Sequence, residues 1–234
     1  MAISRLIRAP KPSLSKLPFS KLPAARLALG ATLAASAFGA QAAVTAQADT
    51  AAQQSASAAR HSAQDSGARV NVTAQQVLNL AREQVGTSED GNGGGTKFQQ
   101  WYASSPRAGE TVLRDGGSRG AYLNAPWCSM FVSWVGEQSG ARSQVGWDAY
   151  TVAHAKWFAA NGRWGGEARP GAVVFFSWSG SKSLSAINHV GFVVKDNGDG
   201  TISTIEGNTG NGKVEQRVRP ASQVVGYGYP NYAV

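Results

Sequence analysis

The sequence contains one cysteine and three histidines among its 234 residues, and this scarcity excludes several kinds of site. An internal disulfide is excluded because it needs two cysteines. The usual zinc sites need closely spaced nitrogen and sulfur ligands, and neither Cys-x-x-Cys nor His-Glu-x-x-His occurs. The acids of Asp196-Asn-Gly-Asp-Gly200 lack the spacing and the distal Glu of a calcium loop. We therefore expect neither a metal nor a cofactor.

Charged residues are also few, at 15% of the chain, and the basic ones are unevenly distributed. Six of the 22 Lys and Arg residues lie in residues 1–42, a segment without Asp or Glu. The remaining 16 are set against all 14 acids, so the rest of the chain carries only +2 of the net charge of +8. The surplus of positive charge therefore lies in an N-terminal leader and does not form a binding face. We expect no nucleic-acid partner.

An apolar run over residues 27–38 follows the basic segment and precedes Ala40-Gln41-Ala42, which has the small-x-small pattern of a secretory cleavage site. The alternative is an uncleaved membrane anchor, which needs about 20 apolar residues. This run has only 12. We therefore predict a signal peptide over residues 1–42 with cleavage after Ala42. The mature protein is expected to be extracellular or in the cell wall, without stable membrane association.

The sequence after the leader divides into a linker and a folded domain. Residues 43–72 are rich in Ala, Gln and Ser and have few large apolar side chains, which predicts a disordered linker. The domain is expected over residues 73–234, beginning at the capping box Thr73-x-x-Gln76.

Helical spacing predicts three helices in the first part of the domain. The first begins at Thr73 and ends at Gly86, the second follows Asn124-Ala-Pro126 and ends at Gly140, and the third covers about residues 149–161. Asn124 is the candidate N-cap of the second helix. Residues 87–124 have no clear period and are predicted to form a long, partly ordered loop.

The chain after Pro170-Gly171 has the pattern of β-strands, with Asp196–Gly200 as a hairpin turn. Five strands are predicted over residues 172–178, 189–195, 201–206, 213–219 and 224–229. Helices followed by strands indicate an α+β fold.

Cys128 is predicted to lie in the first turn of the second helix, where the helix dipole and free N–H groups favour a thiolate. The alternative is a cysteine that only fills the core, since free Cys is among the most buried residue types. A nucleophilic thiol also needs a base. His61 lies in the linker and His154 lies within a helix, whereas His189 opens an apolar strand and is the best placed.

Glu206 and Asn208 are two positions apart, so in an extended chain their side chains leave the same face of the sheet. A carboxylate and an amide beside a strand histidine can orient an imidazole. The alternative is that each side chain caps its own backbone at the end of a hairpin.

At these residues the sequence resembles the cysteine, histidine-dependent amidohydrolase/peptidase (CHAP) domain in its secreted bacterial form. The resemblance covers about Val72–Val234. The segments that carry it are Trp127–Trp134, Arg169–Phe176, Asn188–Val194, Asn197–Thr201, Thr204–Thr209 and Gly226–Tyr229.

The resemblance implies a papain-like cysteine hydrolase fold, with N-terminal helices packed on a C-terminal antiparallel sheet of about five strands. It implies that Cys128 is the nucleophile, His189 the base, Glu206 the third member of the catalytic set and Asn208 a supporting fourth. The family hydrolyses amide bonds of peptidoglycan, either between the sugar and the first alanine or within the stem or cross-bridge. Some phage members bind calcium through an acidic run before the cysteine, and residues 119–126 lack such a run.

The implied function is therefore that of a secreted peptidoglycan amidase or endopeptidase, with peptidoglycan as partner and a monomer as the expected state. The alternative is a wall-binding or partner-activating scaffold with little turnover. A complete set of Cys, His, Glu and Asn favours the enzyme, since a binding protein has no chemical need for all four.

Substrate-binding residues are predicted from the aromatic and polar side chains near these motifs. Trp101, Trp127 and Trp147 are candidates for stacking on substrate in the groove. Trp134, Trp157 and Trp178 fall on helix or strand patterns and are expected in the core. The Cys128 N–H is the expected first donor to an oxyanion, and Asn124 is a candidate second donor.

Overall fold

The computed structural model describes residues 70–234. The predicted signal peptide, residues 43–69 of the predicted linker and His61 lie outside the described residues. Among the helices described, none has the length and apolar character that crossing a membrane requires.

The first part of the described chain is helical. The α-helices are α1 Ala74–Glu83, α2 Lys97–Ser104, α3 Pro106–Asp115, α4 Cys128–Gln138, α5 Arg142–Val145 and α6 Thr151–Ala160. Short 3-10 helices occupy Arg119–Asn124, Leu184–Ala186 and Ala221–Gln223. The three predicted helices are confirmed as α1, α4 and α6, with ends that differ by a few residues.

Side chains cap the N-termini of the first three of these helices. Thr73 Oγ1 accepts from the Gln76 N–H while Gln76 Oε1 accepts from the Thr73 N–H, which is the predicted capping box of α1. Thr96 and Gln99 repeat this arrangement at α2, and Ser105 caps α3. The prediction of a partly ordered loop over residues 87–124 is therefore wrong. Helices α2 and α3 have too few buried apolar positions to show a period, so only their caps marked them.

The second part of the chain forms one antiparallel sheet of six strands in the order β1-β6-β2-β3-β4-β5. The strands are β1 Trp164–Gly165, β2 Val173–Phe176, β3 His189–Asp196, β4 Thr201–Glu206, β5 Glu215–Pro220 and β6 Val224–Gly228. The predicted α+β class and the five predicted strands are confirmed. Strand β1 is additional, and its two residues are too few to show a strand pattern.

Helix α4 packs directly on the sheet through aromatic side chains. Phe131 of α4 has its ring centroid 6.4 Å from Phe192 of β3 and 5.3 Å from Phe98 of α2. Gly207, which follows β4, lies so close to the helix that a Cβ there would be 2.6 Å from Phe131 Cβ. Since a side chain at this position would push the helix away, Gly207 lets the start of α4 meet the ends of β3 and β4.

Candidate active site

Cys128 is the first residue of α4 and is 5% exposed. The N-cap of this helix is Trp127, whose carbonyl accepts from the Phe131 N–H. The prediction of Asn124 as N-cap is wrong, because Asn124 ends the preceding 3-10 helix. No side chain caps α4. The N–H groups of its first turn are therefore available to a ligand, in the field of the positive end of the helix.

Trp127 holds the start of α4 in place from within the core. Its indole is 0% exposed and stacks on Phe98, with ring centroids 5.3 Å apart. Its Nε1–H donates to Glu89 Oε2 at 3.0 Å. The prediction that Trp127 stacks on substrate is therefore wrong, since the ring is inaccessible. The packing of its large apolar ring in the core instead fixes the position of the backbone directly before Cys128.

His189 and Glu206 are brought together by neighbouring strands. His189 begins β3 and Glu206 ends β4, and the antiparallel register pairs Phe192 with Ile205. Both side chains therefore lie at the same end of the sheet. His189 Nε2 is 2.8 Å from Glu206 Oε2, and both groups are buried.

The side chain of Cys128 lines the same pocket as the imidazole of His189 and interacts with it. Because Glu206 engages Nε2, Nδ1 is the ring nitrogen left for the sulfur. Burial lowers the pKa of His189, but hydrogen bonds and charges from Cys128 and Glu206 outweigh it and raise the pKa to about 9. The raised pKa favours an imidazolium at neutral pH, and a cysteine nucleophile is activated by a positively charged group of this kind beside it.

Glu206 is held as a carboxylate by three side chains. Besides His189, Thr204 Oγ1 donates to Oε1 at 2.5 Å and Arg219 Nε donates to Oε1 at 2.9 Å. Burial raises the pKa of Glu206, but hydrogen bonds from His189 and Arg219 and the charge of His189 lower it to about 2. The carboxylate is therefore charged and fixed in orientation.

Arg219 is not among the residues predicted from the sequence. It lies on β5, and its Nη2 donates to Glu206 Oε2 at 2.5 Å, so the pair is bidentate. Its guanidinium carbon is 4.9 Å from the ring centroid of Trp178. The alternation along β5 places Arg219 on one face with Glu215 and Arg217. That face could be read from the sequence, but the partner strand and its register could not.

Trp178 is another residue of the site whose predicted place is wrong. Its side chain is 43% exposed instead of lying in the core, because β2 ends at Phe176 and Trp178 belongs to the following loop. The ring centroid lies 5.2 Å from that of His189. Trp178 therefore packs against the imidazole and also forms part of the accessible groove.

Asn208 follows β4 with a φ of 53°, the only positive value at a non-glycine residue in the described chain. Glu206, not Asn208, hydrogen-bonds Nε2 of His189. Asn208 instead lines a pocket beside Cys128. Its supporting role stays a prediction, and its place in the pocket wall leaves it accessible to a ligand of that pocket.

Two pockets meet at Cys128, and Pro126 and Asn188 line both of them as well. The apolar pocket has a volume of about 360 Å³. Its other walls are Asp115, Tyr122, Ala125, Met130, Ala149, Tyr150, Thr151 and Ile187. The polar pocket has a volume of about 240 Å³. Its other walls are Trp178, His189, Asn208, Thr209, Gly210 and Arg219.

The remaining predicted substrate-binding residues are absent from both walls. Trp101 packs against Tyr102, Trp147 lies under the guanidinium of Arg142, and the Asn124 side chain lies against Gly94. The structure does not bring these three residues to Cys128. The exposed aromatic side chains at the two pockets are instead Tyr150, at 55% exposure, and Trp178.

His154 lies apart from this set and is buried. Its Nδ1 is 2.9 Å from Ser129 Oγ and its Nε2 is 2.7 Å from the Val145 carbonyl oxygen. Burial lowers the pKa of His154 and keeps the ring neutral. The histidine therefore links α6 to α4 and to the end of α5. Within residues 70–234, no cluster of three or more His, Cys, Asp or Glu side chains is arranged to hold a metal ion.

Comparison with known proteins adds one finding. A family model described as the CHAP domain matches residues 120–208, a span that contains Cys128, His189, Glu206 and Asn208. This domain belongs to a peptidoglycan-related family of amidase and peptidase hydrolases. Neither the curated proteins nor the solved structures gave a match.

Proposed function

This chain contains a CHAP domain with a papain-like α+β fold, and we propose that it is a cysteine-dependent hydrolase of an amide bond in peptidoglycan. The observation that carries the proposal is the position of the His189 imidazole. It interacts with the Cys128 side chain, which lines the same pocket, and through Nε2 it hydrogen-bonds the fixed carboxylate of Glu206. All three groups are buried, and Cys128 lies where the two pockets meet.

In the first step, the Cys128 thiolate attacks the carbonyl carbon of the scissile amide and forms a C–S bond. The negative charge that develops on the carbonyl oxygen is stabilised by the Cys128 backbone N–H at the uncapped start of α4. The His189 imidazolium donates its proton to the leaving nitrogen, and the C–N bond breaks. The products of this step are a free amine and a thioester on Cys128.

In the second step, water hydrolyses the thioester. The now neutral His189 takes a proton from the water, whose oxygen attacks the carbonyl carbon. The C–S bond then breaks, and the thiolate and imidazolium are regenerated. Glu206 remains a carboxylate throughout and stabilises the imidazolium.

The alternative function as a binding scaffold gives no reason for the ionised groups of this site. Glu206 is 0% exposed, and burying a carboxylate costs free energy unless it is fully hydrogen-bonded. Three side chains provide those bonds. A catalytic role for the carboxylate accounts for this arrangement, because it stabilises a charge that forms and disappears on His189.

The experiment is to incubate purified peptidoglycan with the protein and to analyse the released fragments by mass spectrometry. A new amino terminus on alanine with a free lactyl carboxylate identifies an amidase. New termini within the stem or cross-bridge identify an endopeptidase. Binding to the wall without release of fragments supports the scaffold instead.

We also propose that the protein acts outside the cytoplasm, since peptidoglycan lies there and the leader has the pattern of a signal peptide. The mature chain would begin at Ala43. Amino-terminal sequencing of protein from the culture medium tests this, and Met1 retained on the exported protein would contradict it.

A further inference from the structure

The two pockets that share Cys128 differ in chemistry. The apolar pocket presents Tyr150, Tyr122, Met130 and Ile187, whereas the polar pocket presents Arg219, Asn208 and Trp178. Their difference in chemistry suits two unlike halves of one substrate, joined at the bond that Cys128 attacks.

The position of His189 shows which half belongs to which pocket. The imidazolium must protonate the leaving nitrogen, so the amine half of the substrate starts beside this ring. His189 lines the polar pocket and is absent from the walls of the apolar pocket. The amine half therefore lies in the polar pocket, and the acyl half, bonded to the sulfur, extends into the apolar pocket.

The charged side chains that line the two pockets differ in sign. The charged side chain of the apolar pocket is Asp115, which Arg114 holds through both carboxylate oxygens. In the polar pocket, Arg219 uses Nε and Nη2 for Glu206. Among the described residues, its Nη1 has no hydrogen-bond partner. The two N–H donors of Nη1 thus remain for a ligand of the polar pocket, and they suit a carboxylate.

We propose that the groove binds its substrate in this one direction, with an amine half that bears a carboxylate recognised by Arg219 and an acyl half that packs on Tyr150. The proposal rests on the proposed function, because it requires an acyl-enzyme on Cys128. It goes further in naming an anionic peptide as the leaving group and the apolar pocket as the acyl site.

Transfer of the acyl group to an added amine tests this direction. The amine nitrogen attacks the thioester carbonyl, so a C–N bond forms and the C–S bond breaks. The proton of the amine passes to His189, and the sulfur leaves as thiolate. The added amine occupies the pocket of the leaving group, so its preference reports on that pocket alone.

The experiment supplies the mature protein with a soluble peptidoglycan fragment that it cleaves, together with either glycylglycine or glycylglycinamide. Glycylglycine ends in a carboxylate, whereas glycylglycinamide ends in a neutral amide. We expect about tenfold more transfer to glycylglycine, in line with a charge-assisted hydrogen bond. Equal transfer to the two amines, or transfer to neither, would contradict the direction.

Variants separate the two pockets. Arg219→Gln should bring the preference between the amines close to one. Loss of the contact between Arg219 and Glu206 should slow transfer to both amines equally, because both transfers use His189. The ratio of the two transfer rates is therefore unaffected by this loss. The control Tyr150→Ala should raise KM for the fragment about tenfold, by loss of an aromatic contact, and leave the preference unchanged. A preference that survives Arg219→Gln, or that disappears in Tyr150→Ala, would overturn the assignment.

Failure of this inference is distinguishable from failure of the proposed function. If the wild-type protein cleaves no fragment, the proposed function fails and this inference fails with it. If it cleaves fragments but transfers to both amines alike, only the direction fails. Should Arg219→Gln be too slow to assay, the wild-type comparison of the two amines decides the question.

Discussion

Glu206 Oε2 lies 2.8 Å from His189 Nε2, and this contact leaves Nδ1 as the ring nitrogen available to the cysteine. The carboxylate cannot turn away, because Arg219 and Thr204 hold it from other directions. The ring is therefore held at Nε2, which leaves Nδ1 as the nitrogen available to the Cys128 thiol. The same contact stabilises the charge that the imidazole carries when the thiol is ionised.

Glu206→Gln should lower kcat by roughly a hundredfold to ten-thousandfold, because the amide does not stabilise the imidazolium. It should also lower the pKa of His189, since Glu206 is one of the groups that raise it to about 9. The alkaline limb of the pH–rate profile should therefore move to lower pH. A profile of kcat/KM against pH measures both effects.

The matched control is Glu110→Gln, a change at an exposed carboxylate paired with Arg107. It should leave the profile unchanged. Combining Glu206→Gln with His189→Ala should cost no more than His189→Ala alone, because the two residues act as a unit. Full turnover in Glu206→Gln would show that the third catalytic position lies elsewhere.

The stability that Glu206 confers should depend on pH in a defined window. The pKa of Glu206 is lowered from 4.5 to about 2, so its contribution is present above pH 4.5 and is lost as the pH falls to 2. The pKa of His189 is raised from 6.5 to about 9, so its contribution is present below pH 6.5 and is lost as the pH rises to 9. The difference in Tm between wild type and Glu206→Gln should therefore be largest between these limits. A difference that is constant from acid to alkaline pH would contradict the charged pair.

Asn208 offers a matched pair of variants because its φ is 53°. Asn208→Gly removes the amide and keeps the backbone relaxed, whereas Asn208→Ala removes the amide and adds strain of about 1 kcal/mol. If the amide contacts the reacting group, both variants should lose roughly tenfold to a hundredfold in kcat, less than Glu206→Gln. Only Asn208→Ala should lower Tm. Normal kcat in Asn208→Gly would limit the residue to a turn.

The two buried histidines should separate activity from stability. His189→Ala should abolish turnover and keep the native fold, with loss only of the pH-dependent stability that its charged pair with Glu206 confers. His154→Ala should destabilise the domain by roughly 2–4 kcal/mol through lost packing and unpaired partners. Its folded fraction should keep wild-type kcat. Specific activity and Tm of both variants test this, and loss of kcat in folded His154→Ala would place that ring in the mechanism.

The features that a short local sequence pattern indicates could be predicted. Thr73 and Gln76 mark a helix start by their spacing, and Asp196–Gly200 marks a turn by its composition. The same capping pattern at Thr96 and Gln99 also marks a helix, but it was hidden in a stretch without apolar period. The strand that carries His189 and the helix that begins at Cys128 follow from patterns of the same local kind.

Residues that depend on tertiary contacts were not predictable. Arg219 reaches Glu206 across a strand pair whose register no local pattern reveals. Trp127 and Trp178 have exchanged their predicted environments, because burial of a tryptophan depends on what packs over it. The end of β2 decided the second case, since the strand stops at Phe176, two residues before Trp178.

The most direct test of the account compares fragments released from purified peptidoglycan by the mature wild-type protein and by Cys128→Ala. The variant should retain the wild-type circular dichroism spectrum and Tm within a few degrees, because the lost thiol is small and lies at a helix start. We predict that wild type releases fragments with new amine and carboxylate termini and that Cys128→Ala releases none. Release of the same fragments by folded Cys128→Ala would contradict the nucleophilic role of Cys128, and with it the proposed mechanism.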